Sequence, residues 1–159
     1  MRRWCDATGK PSRGPRSHRA FGVGDVAGKR GTFRRGLEAF GRRDVEALLR
    51  DLDPDVEWHS ALPALLGGES TVYRGHQGVR ELIRENDEVL AEYDVELSEI
   101  RDLGDRVFGI GEVRTRGKGS GIKTESPWCI LVEFKDGKGI RIRTDLDPKG
   151  GLQAAGLRE

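Results

Sequence analysis

Apolar residues between Thr32 and Asp53 recur three or four positions apart, as Phe33, Leu37 and Phe40 and then Val45, Leu48, Leu49 and Leu52. That is the period of a helix with one buried face. Gly41 and two arginines interrupt it, and Asp44 is a good N-cap, so the pattern predicts two helices meeting at an angle. Pro54 is expected to stop the second helix, with "DVEWHS" (55–60) following as a brief strand. The stretch "ALPALLGGESTVYRG" reads as an irregular loop whose Leu62, Leu65 and Leu66 have no obvious element to hide them, so it is expected to cover something. Helical spacing returns in "GHQGVRELIRENDEVLAEY" through Val79, Leu82, Ile83, Val89 and Leu90. From Asp94 the period drops to two, giving strands "DVELSEIRDL", "RVFGIGEVRTRG", "KTESPWCILVEF" and "IRIRTDLD", and Asp136-Gly137 between the last two is a strong hairpin signal. A short helix, "KGGLQAAGL", closes the chain. Helices first and a meander afterwards predict an α+β domain with helices on one face of a curved, mainly antiparallel sheet.

Strand alternation then sorts the side chains that could carry chemistry. Trp58 and Ser60 share a face with Val56, opposite Glu57 and His59, so a catalytic His59 would need a bulge. Trp128, Ile130, Val132 and Phe134 form one apolar row, and Ile142 and Thr144 form another. Asp145 falls with Arg141 and Arg143 and reads as an outer-face acid. The strand "RVFGIGEVRTRG" is ambiguous, because the row Phe108, Ile110, Glu112, Arg114 and the row Val107, Gly109, Gly111, Val113 are both partly apolar. With the first row inward, Glu112 and Arg114 could bind a polar head or work as acid and base; otherwise they form a cross-strand ion pair on a wet face. Tyr73 and His76 are placed near the mouth of any pocket, with His76 engaged at a helix start.

Charge adds a second segment to this picture. Residues 1–30 hold Arg2, Arg3, Lys10, Arg13, Arg16, Arg19, Lys29 and Arg30 against Asp6 and Asp25, a net +6 inside a chain whose total is +1. This Gly/Pro/Ser-rich stretch is too poor in apolar residues to offset its ordering entropy, so residues 1–31 are expected to be a disordered basic tail ahead of a domain over 32–159. No aromatic or helical pattern accompanies the charge, so an unstructured extension is favoured over a nucleic-acid arm. No apolar run is long enough to span a membrane, and the expected location is cytoplasmic. Cys5 and Cys129 are far apart, with no CxxC and no clustered histidines, so neither a disulfide framework nor a metal site is expected, and nothing calls for a cofactor.

The frame formed by "LEAFGRRDVEALLRDLDPDVEW", "YRGHQGVRELI", "DRVFGIGEVRTRGKGSG" and "FKDGKGIRIRTDLD" with "LQAAGL" resembles the SnoaL-like branch of the nuclear-transport-factor-2-like superfamily. The resemblance implies a cone-shaped barrel whose sheet curls around an apolar pocket, and a homodimer. Its relatives include isomerases, dehydratases, epoxide hydrolases, cyclases and non-catalytic binding domains, so the fold does not choose among them. Laid on the ketosteroid isomerases without gaps through "DVEALLRDLDPDVEWHS", the chain has Gly36 at their helix-one tyrosine and Ser60 at their base; aligned back from Phe134, their oxyanion-hole acid falls on Ile130. The aspartate of the limonene epoxide hydrolases falls on Thr144. The resemblance therefore implies that the known proton-transfer groups are replaced.

Two readings follow. The first is a domain that binds a small hydrophobic molecule among Trp58, Ser60, Tyr73, Arg114, Trp128, Ile130, Ile142 and Thr144. The second is a cyclase, isomerase or hydrolase that uses Glu112, His59 or Asp145 as an unusual base.

Overall fold

The computed structural model describes residues 28–65 and 67–156. Helix α1 (Lys29–Arg42) ends where Arg43 takes a left-handed conformation, φ 60°. The next residue, Asp44, accepts a hydrogen bond from the Ala47 amide at 3.2 Å and starts α2 (Val45–Arg50). The predicted pair of angled helices is thus present, and the cap is the predicted one. Lys29, Arg30 and Gly31 belong to the first turn of α1 rather than to a tail; the rest of the expected tail, with Cys5, lies outside the described residues.

Strand β1 (Leu52–Ser60) starts before Pro54. Proline does not stop the helix, which has already ended at Arg50. It sits exposed where the β1 register shifts between Leu52 and Glu57, a place where no ladder amide is required. The expected loop holds two elements that periodicity alone does not reveal: a one-turn helix α3 (Leu62–Leu65) and strand β2 (Thr71–Arg74). Helix α4 (Gly75–Val89) buries Val79, Leu82, Ile83 and Asn86, and β3 (Leu90–Asp102) begins at once, four residues before the change of period suggests. Strands β4 (Arg106–Gly117), β5 (Lys123–Lys135) and β6 (Lys138–Asp145) follow, then α5 (Pro148–Ala154).

The strands form a single six-stranded sheet in the order β2-β1-β6-β5-β4-β3, antiparallel except for the β1/β6 pair. The edge strands β2 and β3 do not meet, so the expected barrel is an open, curved sheet. Register shifts in β3 and between β5 and β6 bend it. At the shift between Leu97 and Glu99 the β3 backbone closes on β4, and a Cβ on Gly111 would come within 2.0 Å of the Glu96 carbonyl oxygen. Only glycine permits that approach.

The main core lies between α1, α2 and α4 and one face of the sheet, where Phe33, Leu48, Leu49, Val79 and Leu82 meet Val56, Trp58, Val107, Val113, Ile130 and Ile142. The opposite face is mostly charged, with one apolar patch of Phe108 and Cys129 covered by Leu152 and Ala155 near and in α5. Helices therefore occupy both faces, not one. Among the described residues no helix is long and apolar enough to cross a membrane.

Candidate functional site

The sheet and α1 leave a cavity with about 70 Å³ of room for the centres of water-sized molecules. Its walls come from α1 (Phe33, Gly36, Leu37, Phe40), from Leu62 of α3, and from the inward rows of all the longer strands. Phe40 links two other aromatic walls, with its ring centroid 5.4 Å from Trp58 and 5.2 Å from Tyr93. Trp128, Ile130, Ile142 and Thr144 complete the side opposite α1.

Alternation settles the pair Trp58 and His59. Trp58 is buried in the wall, whereas the His59 ring is 37% exposed on the other face and donates from Nε2 to Glu57 Oε1 at 2.9 Å. Contacts with His59 and then Arg74 hold the Glu57 carboxyl down at about 2. The ambiguous strand β4 is settled too. Val107, Gly109, Gly111 and Val113 face the core, so Glu112 and Arg114 face outward. There Arg114 pairs with Glu125 at 2.7 Å, Glu96 at 3.2 Å and Glu112 at 3.3 Å.

Asp145 is also outside the cavity, 3.9 Å from Arg143 and accepting the Asp147 amide at 3.1 Å. None of the three candidate bases, Glu112, His59 and Asp145, lines the cavity. Arg114 and Tyr73 do not line it either: Tyr73 is buried in the core and donates its hydroxyl to Glu85 Oε1 at 2.7 Å. His76 bonds through Nε2 to the Leu52 carbonyl at 3.0 Å, which ties the start of α4 to β1.

The four positions at which the resemblance implies lost proton-transfer groups, Gly36, Ser60, Ile130 and Thr144, all lie on this cavity's wall. None of them can ionise. Among the described residues the wall has two titratable side chains, Asp51 and Tyr93. Asp51 lies before the far end of β1 and its carboxylate accepts from the exposed Arg35 at 3.3 and 3.4 Å. Burial pushes the Tyr93 phenol up to about 12, so it stays neutral near pH 7, and its hydroxyl donates to the Phe40 carbonyl at 3.4 Å. Ser60 Oγ accepts the Leu62 amide at 3.2 Å and Thr144 Oγ1 accepts the Ala61 amide at 2.9 Å. Periodicity did not show that α1 would supply a wall through Gly36; the alignment to the isomerases was the available signal.

Known proteins place this geometry in a family. No curated protein matches the chain. Among solved structures, an NTF2-like protein of unknown function from Burkholderia pseudomallei is 26% identical with a TM-score of 0.65, over 77% of this chain and 93% of its own. TerC, co-crystallised with polyporic acid, is 25% identical with a TM-score of 0.63, over 77% of this chain and 94% of its own. An NTF2-like protein from Burkholderia thailandensis shares the fold at 23% identity and a TM-score of 0.64, over 79% of this chain and 95% of its own. The model of the SnoaL-like domain matches residues 33–142, which span α1 to the inward-facing Ile142 of β6 and so take in nearly the whole cavity wall; the chain belongs to the SnoaL-like domain family.

Proposed function

We propose that this chain binds a small hydrophobic molecule in the cavity beneath α1, and that the cavity carries out no acid/base chemistry of its own. One observation carries the reading: the positions Gly36, Ser60, Ile130 and Thr144 converge on a single apolar cavity and none bears an ionisable group. Ligand pockets are mostly apolar with a few placed polar atoms, and this wall has that composition. A general base must reach the proton it removes. Glu112, His59 and Asp145 lie on the far side of the sheet from anything held inside. The crystallised complex of TerC with polyporic acid supports the idea that this fold accepts an organic molecule.

The test is calorimetric titration with indane, a compact hydrocarbon. Saturable binding to the native chain is expected, and Trp58→Ala, which removes a wall, should abolish it. Unchanged affinity in Trp58→Ala would show that the binding place is elsewhere. Trp58→Phe keeps an aromatic wall against Phe40 and serves as the folded control.

A further inference from the structure

The outer face of the sheet carries an apolar patch separate from the main core. Phe108 and Cys129 are buried there, and Leu103, Ile110 and Leu131 pack around them. Leu152 of α5 and Ala155 just after it cover the patch. Gly151 lies flush on the Cys129 sulfur, with no room for a Cβ between them. A small void bordered by Phe108, Leu131, Arg143 and Asp145 remains beside the thiol.

This cover is weakly built. Its helix has seven residues, well short of the length at which a helix holds by itself in water, and Gly150 and Gly151 inside it disfavour helix further. Its hydrogen bonds are local. Asp147 caps it by accepting the Lys149 amide at 3.1 Å, and the Ala155 and Gly156 amides close the far end on the Gly151 and Gln153 carbonyls, each at 3.0 Å. These bonds shape α5 without attaching it to the patch, and the apolar attachment comes from Leu152 and Ala155. The sheet underneath has support of its own. Cys129 pairs with Ile110 of β4 on one side and Asp145 of β6 on the other, and the opposite face of the same strands is packed into the main core.

We infer that α5 is a releasable cover: it leaves the outer face while the sheet stays folded, and its release opens the Cys129 thiol to small electrophiles. A terminal segment with few buried contacts opens locally far more often than the whole domain unfolds. With α5 in place, burial keeps the proton on the sulfur. With α5 away, water reaches the sulfur and the reactive thiolate forms more readily. The inference is independent of the cavity on the other face.

The test is alkylation of the folded full-length chain carrying Cys5→Ser, in which Cys129 is the one thiol. Iodoacetamide at pH 8 forms a bond from Sγ to carbon, iodide leaves, and the thiol proton passes to the buffer; intact mass follows the reaction. Across urea concentrations below the unfolding transition the rate should change by less than about twofold, because release of α5 exposes little surface, whereas exposure through global unfolding would raise it about tenfold per molar. Gln153→Pro breaks α5 at an exposed position without touching the patch. It should speed alkylation at least about tenfold while the near-ultraviolet dichroism of Trp58 and Trp128 in the sheet is kept. Leu152→Ala, which removes the larger apolar contact, should speed it by at least about tenfold as well.

A rate that climbs with urea at the slope of global unfolding would overturn the inference. So would loss of the tryptophan dichroism in Gln153→Pro, which would make α5 part of the frame of the fold. An unchanged rate in either variant would also overturn it, since the reagent would then reach the sulfur past a closed helix.

Discussion

Replacing Gly36 tests the cavity from both sides, because this glycine lines it from the interior of α1. A Cβ built there meets only Leu48 Cδ1, at 3.8 Å, which is an ordinary contact. Gly36→Ala should therefore gain the helix-interior difference between the two residues, about 1 kcal/mol. For a domain of this size that raises Tm by roughly 3 °C. Gly36→Leu reaches farther. Each buried methylene contributes about 0.8 kcal/mol, against a side-chain ordering cost of about 0.5–1 kcal/mol. Net stabilisation beyond alanine of about 1–2 kcal/mol is then expected if the side chain fits the void. The same side chain should displace any occupant, so indane affinity should fall at least about tenfold in Gly36→Leu and stay near the native value in Gly36→Ala. Thermal unfolding and calorimetric titration of the three chains give both readouts. A destabilised alanine variant would mean that the wall has no room at this position. A leucine variant that still binds like the native chain would mean that ligands do not use this cavity.

Other predictions concern the opposite face. The Glu57 carboxyl is held at about 2 by His59 and Arg74, below the ordinary 4.5, so its contacts stabilise the fold above about pH 4.5 and are lost as pH falls through 2. Glu57→Gln should flatten the dependence of Tm on pH across that window, and an unchanged slope would contradict the assigned partners. Burial, with Asp145 and Asp147 nearby, pushes the Cys129 thiol up to about 11. In a Cys5→Ser background its alkylation at pH 8 should be at least about a hundredfold slower in the native chain than in the unfolded one. A Cβ on Gly151 would stand 2.4 Å from Cys129 Sγ. Gly151→Ala should cost about 1–3 kcal/mol, and Cys129→Ala in the same chain should recover most of it, measured as a double-mutant cycle by denaturant unfolding.

Local pattern was enough where one face of an element is apolar and the other polar. The paired helices with Asp44 between them, the four long strands, and the turn at Asp136 (φ 53°) and Gly137 (φ 80°) are all legible from residue spacing. The opposition of Trp58 and His59 is legible for the same reason, since a period of two permits nothing else without a bulge. Strand β2 was not legible, because four residues of "TVYR" form a strand only through pairing with β1. The start of β3 was hidden because Leu90 and Tyr93 continue the spacing of α4 while their backbone is already extended.

The sequence by itself determined which side chains share a face, and it has non-ionisable residues at the four positions, Gly36, Ser60, Ile130 and Thr144, where the resemblance places a proton-transfer group. Only the tertiary structure decided which face of β4 looks inward. Both of its rows are apolar in part because both faces are covered, Val107 and Val113 by the main core and Phe108 by the segment around α5. Alternation fixes relative orientation; burial against partners distant in the chain fixes the absolute one. The convergence of Gly36, Ser60, Ile130 and Thr144 on one cavity is decided at the same level, since α1, β1 and the β5–β6 hairpin are far apart in sequence and meet only in the folded sheet and the helix packed on it.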